Sequence, residues 1–160
     1  MKFIICPGSA ENQKFKRWPI LKYLELAELY EINQHTVTIV LGPEEHYLSN
    51  FFLKFNVVIS ASFDELKQIS YNANLIVCND SFLLHYFSII NCNVLAIYGP
   101  TDPDRTLPPN AFKIISKKTS LYRPCWGKTY YGRCENGRCS CFDGLDVQDV
   151  YKKSLNILSI

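Results

Sequence analysis

Six short apolar runs punctuate the chain, separated by amphipathic or polar stretches. They fall at residues 2–6 (KFIIC), 36–41 (TVTIVL), 57–59 (VVI), 75–78 (LIVC), 94–98 (VLAIY) and 112–115 (FKII). Each is closed by Gly, Pro, Asn or Ser, so each is predicted as a strand. Between the first two, Leu21, Leu24, Ala27, Leu29 and Ile32 recur at helical spacing behind Pro19, which suits a helix's first turn, so a helix is predicted over about 19–32. Gly42-Pro43 breaks the second strand. Glu44 and Glu45 then favour a helix start, predicted to run to about residue 55. Ser62 with Glu65 three residues on forms a capping box ahead of the next helix. Asn79-Asp80-Ser81 forms a turn and cap before a helix to about residue 90, and a last helix is predicted over about 147–158. The strands read as continuous apolar runs, which predicts a mostly parallel sheet covered by helices on both faces, a single α/β Rossmann-like domain over residues 1–160.

Composition supports that picture. The chain has 160 residues, 48% hydrophobic and 20% charged, as one globular domain requires. A net charge of +2 gives no argument for nucleic acid. Seven basic residues (Lys113, Lys117, Lys118, Arg123, Lys128, Arg133, Arg138) against Glu135 alone crowd one stretch. A solvated rim accounts for them, and a contact for a polyanion such as a phosphorylated glycolipid is the sharper reading. No apolar run approaches the ~20 residues a membrane span needs, and the start is not a secretory signal, so a cytoplasmic protein is expected. Of seven cysteines, Cys6, Cys78 and Cys92 read as small core residues. Cys125, Cys134, Cys139 and Cys141 share a Cys-rich loop at about 119–145 and are read as reduced structural thiols. Zinc ligation by these four is the alternative, although they lack paired C-x2-C spacing, and a cytoplasmic setting disfavours disulfides.

In doubly covered parallel sheets ligands bind at the carboxyl ends of the strands, here residues 7–18, 42–45, 79–85 and 99–106. The first of these loops offers Gly8 and Ser9 for close backbone approach to an anion, then Lys16 and Arg17 ahead of a helix. The second offers carboxylates at a strand end, where ribose hydroxyls can donate. The third places Ser81 at a helix start with His85 one turn on, and the fourth supplies hydroxyls and Arg105. Taken singly, each also reads as a solvated turn or an ordinary helix terminus.

In order and spacing, Pro7-Gly8-Ser9…Lys16-Arg17-Trp18-Pro19, Gly42-Pro43-Glu44-Glu45, Asn79-Asp80-Ser81…His85 and Tyr98-Gly99-Pro100-Thr101-Asp102-Pro103…Arg105-Thr106 resemble glycosyltransferase family 9, the ADP-heptose:lipopolysaccharide heptosyltransferases. The resemblance covers nearly the whole chain, including the Cys loop and its tail, and matches only the family's C-terminal, nucleotide-sugar-binding domain, one half of a GT-B fold. It implies inverting transfer from an ADP-sugar, ADP-heptose by the family's name, with no metal and no other cofactor. Lys16 would stabilise the leaving diphosphate. Ser81 would hold phosphate and Ser9 would lie beside it. Glu44 would hold the ribose, with Asp80, His85 and Thr101 contacting or supporting the donor. The family's base belongs to the N-terminal domain, and Asp102 or Asp104 would be the nearest substitutes here. Phe82 also departs from the glycine the family carries after Asn-Asp-Ser, so a ring is expected where backbone should approach phosphate.

The expected function is therefore the donor-binding half of a heptosyltransferase-like enzyme in lipopolysaccharide core synthesis. It would act with an N-terminal half-enzyme on a glycolipid acceptor, at the inner face of the cytoplasmic membrane. A catalytically inactive nucleotide-sugar-binding or remnant protein is the alternative. A polyanion-binding module is the third, motivated by Tyr122, Trp126, Tyr130 and Tyr131 among basic residues.

Overall fold

A computed structural model describes residues 1–90, 92–118, 123–128 and 140–159. Six strands, β1 (Lys2–Cys6), β2 (Thr36–Leu41), β3 (Asn56–Ile59), β4 (Leu75–Asn79), β5 (Val94–Tyr98) and β6 (Ala111–Ile115), form one sheet in the order β3-β2-β1-β4-β5-β6. Every pairing is parallel. The order reverses between β1 and β4, which makes the carboxyl ends of those strands the topological switch point where such sheets bind ligands. The α/β Rossmann-like prediction is met.

Alternate residues of the strands feed two cores. Phe3, Ile5, Ile39, Leu41, Val77 and Ile97 face α1 (Ile20–Ile32) and α5 (Val147–Leu158), while Ile4, Cys6, Val40, Cys78 and Ala96 face α2 (Phe63–Tyr71) and α3 (Phe82–Ile89). A sheet buried on both sides has no polar face to alternate with, hence the continuous apolar runs. Burial raises the pKa values of the Cys6 and Cys78 thiols, as core residues require. Tyr30 of α1 stacks on Phe3 with ring centroids 3.9 Å apart and donates a 2.6 Å hydrogen bond to Ser154 of α5, tying the two helices together. Ser62 caps α2 by accepting from the Glu65 amide, and the Glu65 carboxylate accepts in return from the Ser62 amide at 2.7 Å, as the capping-box pattern predicts.

One element differs from expectation. The predicted helix 44–55 is a 3-10 helix, Pro43–Phe51. The chain must reverse into β3 by Asn56, and the tighter i→i+3 bonding seen from the Phe52 amide to Ser49 O turns it sooner than an α-helix could. Short helical segments also fold the loops at the carboxyl ends of the strands: a kinked 3-10 stretch at Glu11–Lys16 and the single turn α4 (Pro103–Thr106).

Candidate functional site

Asn79, the last residue of β4, organises the switch point. It is fully buried, and its carboxamide is completely used. Oδ1 accepts from the Trp18 amide (2.9 Å) and the Tyr23 hydroxyl (2.8 Å), and Nδ2 donates to Pro7 O (2.8 Å) and Gly8 O (3.0 Å). One side chain thereby fixes the first loop at both ends against β4. The sequence marked Asn79 only as part of a turn; nothing local reveals that its partners lie more than 55 positions away.

The loop so fixed is locked a second time from within. Arg17, well buried, donates to Ser9 O (2.5 Å), Ser9 Oγ (3.1 Å) and the Tyr47 hydroxyl (2.6 Å), and the Ser9 hydroxyl donates on to Gln13 O (3.0 Å). Beside it lies Glu45, 7% exposed, whose Oε2 accepts from the Gly42 amide at 2.8 Å and whose Oε1 is 3.9 Å from Arg17 Nη2. Its carboxylate also takes a backbone hydrogen bond from Ser9, so it clasps the first and second loops together. Burial raises its pKa above 4.5, opposed by the Gly42 and Ser9 amides and by Arg17. Gly8 exists for this contact: a Cβ there would stand 1.8 Å from Glu45 Oε2.

Next to this wall, Lys16 reaches across to β4, its Nζ 3.3 Å from Asp80 Oδ2 and 5.9 Å from the centre of the Trp126 ring. Asp80 is buried, and Ser81 starts α3 without a side-chain cap on the helix amides. Among the described residues, the buried Trp18 Nε1 and Thr101 Oγ1 have no hydrogen-bond partner, and the buried Asp80 Oδ2 has the Lys16 ammonium as its ion-pair partner. Buried polar groups are ordinarily paired, so such atoms at the carboxyl ends of strands mark a place for a ligand. A cavity of about 210 Å³ opens alongside, its walls including Gly8, Ser9, Gly42, Glu45, Ser81 and Phe82.

The structure thus brings Ser9, Lys16, Asp80 and Ser81 together from two distant loops, with Thr101 buried on a third. Two expected residues stand apart. Glu44 is exposed outside the cavity wall, accepting from the Glu11 amide at 3.4 Å, and the wall position goes to its neighbour Glu45. His85 is exposed on α3 and is absent from that wall. Phe82 lines the cavity beside Ser81, 59% exposed, with its ring packed against Phe63 and Tyr86.

Of the Cys loop, Cys125 and Cys141 are buried, whereas Cys134 and Cys139 lie outside the described residues, as do Tyr122, Tyr130, Tyr131, Arg133, Glu135 and Arg138. No cluster of three metal-ligating side chains occurs among the described residues. Trp126 stacks on Phe15 at 4.7 Å, so this ring packs on its own domain. Lys113 pairs with Asp104 at 2.6 Å and Lys117 with Asp149 at 3.3 Å, as a solvated rim would. No described helix is long and apolar enough to cross a membrane.

With this geometry in hand, comparison with known proteins is decisive. The sequence profile of glycosyltransferase family 9 (heptosyltransferase) matches residues 1–131. The chain belongs to that family. The lipooligosaccharide heptosyltransferase 2 of Haemophilus influenzae is 33% identical over 133 residues, covering 74% of this chain and 35% of that protein. The structure of Escherichia coli ADP-heptose LPS heptosyltransferase II superposes with a TM-score of 0.71 at 25% identity, over 98% of this chain and 46% of the other. The E. coli heptosyltransferase WaaC solved with ADP matches in fold, with a TM-score of 0.70 at 17% identity over 98% of this chain and 44% of the other. This family 9 chain therefore spans about a third of the curated relative and under half of the solved enzymes.

Proposed function

We propose that this chain is the donor-binding half of an inverting, heptosyltransferase-type enzyme of lipopolysaccharide core synthesis, and that its donor is an ADP-sugar. The observation that carries the reading is Lys16 beside the uncapped start of α3 at the switch point. In the reaction an acceptor hydroxyl oxygen bonds to the anomeric carbon while the bond from that carbon to the diphosphate oxygen breaks. The hydroxyl proton passes to a base, and the nucleoside diphosphate leaves with the bonding electrons. Negative charge grows on the leaving group, where a fixed ammonium and helix amides stabilise it most. The Asp80 carboxylate holds Lys16 in place between turnovers. Thr101 and the outer face of Ser81 supply further polar contacts. The scheme needs no metal. The WaaC structure solved with ADP supports the nucleotide, and family membership supports the sugar class.

Titration calorimetry with ADP and ADP-heptose tests this directly. Saturable binding is expected, weakened about tenfold or more in Lys16→Met, the loss of one charge-assisted contact. A folded protein that takes up neither ligand at millimolar concentration would exclude the donor site.

One observation favours a second reading, in which this chain binds donor without transferring it. Asp102 spends its carboxylate capping α4 through the Asp104 amide at 3.0 Å, and Asp104 is paired with Lys113. Both acids of that loop are thus engaged in local, solvent-exposed structure rather than paired with Lys16. The base and the acceptor site are therefore assigned to an N-terminal half outside these residues, working at the cytoplasmic face of the membrane on a glycolipid. Release of ADP from ADP-heptose and acceptor by this chain alone would refute that assignment.

A further inference from the structure

We infer that Phe63 and Phe82 are the specificity element for the donor's base, a pair of aromatic rings that holds a planar purine against the cavity. The inference rests on the nucleotide reading above and adds to it which residues select the base. Both rings line the cavity, yet they are 62% and 59% exposed, although apolar core lies next to each. Their centroids are 5.9 Å apart.

The arrangement is built rather than loose. Tyr86, one turn along α3, stacks on both, 5.4 Å from Phe63 and 6.0 Å from Phe82, with interplanar angles of 28° and 23°. Its hydroxyl donates a 2.7 Å hydrogen bond to Phe63 O, which fixes the start of α2 relative to the start of α3. Both rings are thereby positioned before any ligand arrives, and that lowers the entropy cost of binding.

Two further features indicate a flat, neutral ligand edge. Ser60, in the same cavity wall, holds φ at +56°, a left-handed conformation unfavourable for a residue with a Cβ, and such strain concentrates at binding sites. The rest of the lining is mostly small or apolar, with Gly42, Ser60, Ala61 and Leu66 among it, and the Glu45 carboxylate is the charged group present. Phosphate belongs at Lys16, across the loop, so the aromatic end of the cavity is left for the uncharged base. Stacking on aromatic side chains takes bases by their π-faces, and a two-ring purine gains more contact than a pyrimidine.

The test titrates ADP, UDP and inorganic pyrophosphate into the full chain and its Phe82→Leu, Phe82→Gly and Phe63→Leu variants, with thermal melts confirming that each is folded. ADP is expected to bind about tenfold tighter than UDP. Each variant is expected to lose about five- to tenfold for ADP while pyrophosphate stays within about twofold, the size of a single stacking contact. Unchanged or tighter ADP binding in Phe82→Leu and Phe82→Gly overturns the inference, as does a parallel loss of pyrophosphate. A wild-type chain that binds none of the three ligands overturns the nucleotide reading itself, whereas tight ADP binding that ignores both substitutions removes only the role of the rings.

Discussion

The two walls of the cavity are built on opposite plans. On one side Ser9 and Glu45 are buried and tied to the largely buried Arg17, while behind them buried Asn79 is satisfied by the first loop and Tyr23. On the other, Phe63 and Phe82 stand in solvent. A satisfied buried network stabilises the fold, because removing any member leaves its partners unpaired in low dielectric. Exposed rings contribute little to the fold and keep their apolar surface available to a ligand. The polar wall should therefore register substitutions as lost stability, and the aromatic wall as lost affinity.

The largest effect should come from Asn79→Leu, which leaves the Trp18 amide and two carbonyls unpaired in the core. At about 1–3 kcal/mol per orphaned group, a loss of about 4 kcal/mol is expected, readable as a midpoint shift in urea unfolding. Loss under 1 kcal/mol would mean that Asn79 is not the anchor of the first loop. Gly8→Ala comes next: its Cβ collides with a carboxylate held by two loops, and overpacking of this kind costs about 1–3 kcal/mol. Chemical denaturation would show it, and Gly8→Ala in a Glu45→Ala background should recover most of the loss.

The pH dependence follows the direction of the Glu45 shift. Its folded pKa is raised, so the folded chain holds this proton more tightly than the unfolded one. That contribution to stability is full below about 4.5, the unfolded value, and is lost as pH rises through the folded pKa. Relative to Glu45→Gln, the wild type should lose stability between pH 4 and neutrality, measured by thermal melts across the range. A difference that stays flat would show that Arg17 and the two amides cancel the burial. The smallest stability effect belongs to Phe82→Leu, expected within about 0.5 kcal/mol because the ring is mostly exposed. A large loss there would erase the contrast between the walls.

Much of this was legible in the chain. The apolar runs placed all six strands to within a residue at either end, because a strand buried on two faces leaves an unbroken apolar signature. The Ser62 capping box and the long helices were equally local. The motif order placed the family and brought Lys16 and Asp80 into view. The ends of the 3-10 helix were not legible, because they depend on where β3 must begin.

What the sequence determined by itself was the fold class, the four loops that carry polar chemistry and the family they belong to. Tertiary structure alone decided which side chains face the cavity. Glu44 and Glu45 are the same residue type side by side, and only the turn of a 3-10 helix, about 120° per residue, sends one into the wall and the other to solvent. Phe82 is likewise a ring of undetermined direction until Phe63 and Tyr86, brought in by packing of α2 against α3, give it a place to stack. Backbone propensities and apolar periodicity are local and survive in one dimension; the direction of a side chain is set by neighbours that only the folded chain assembles.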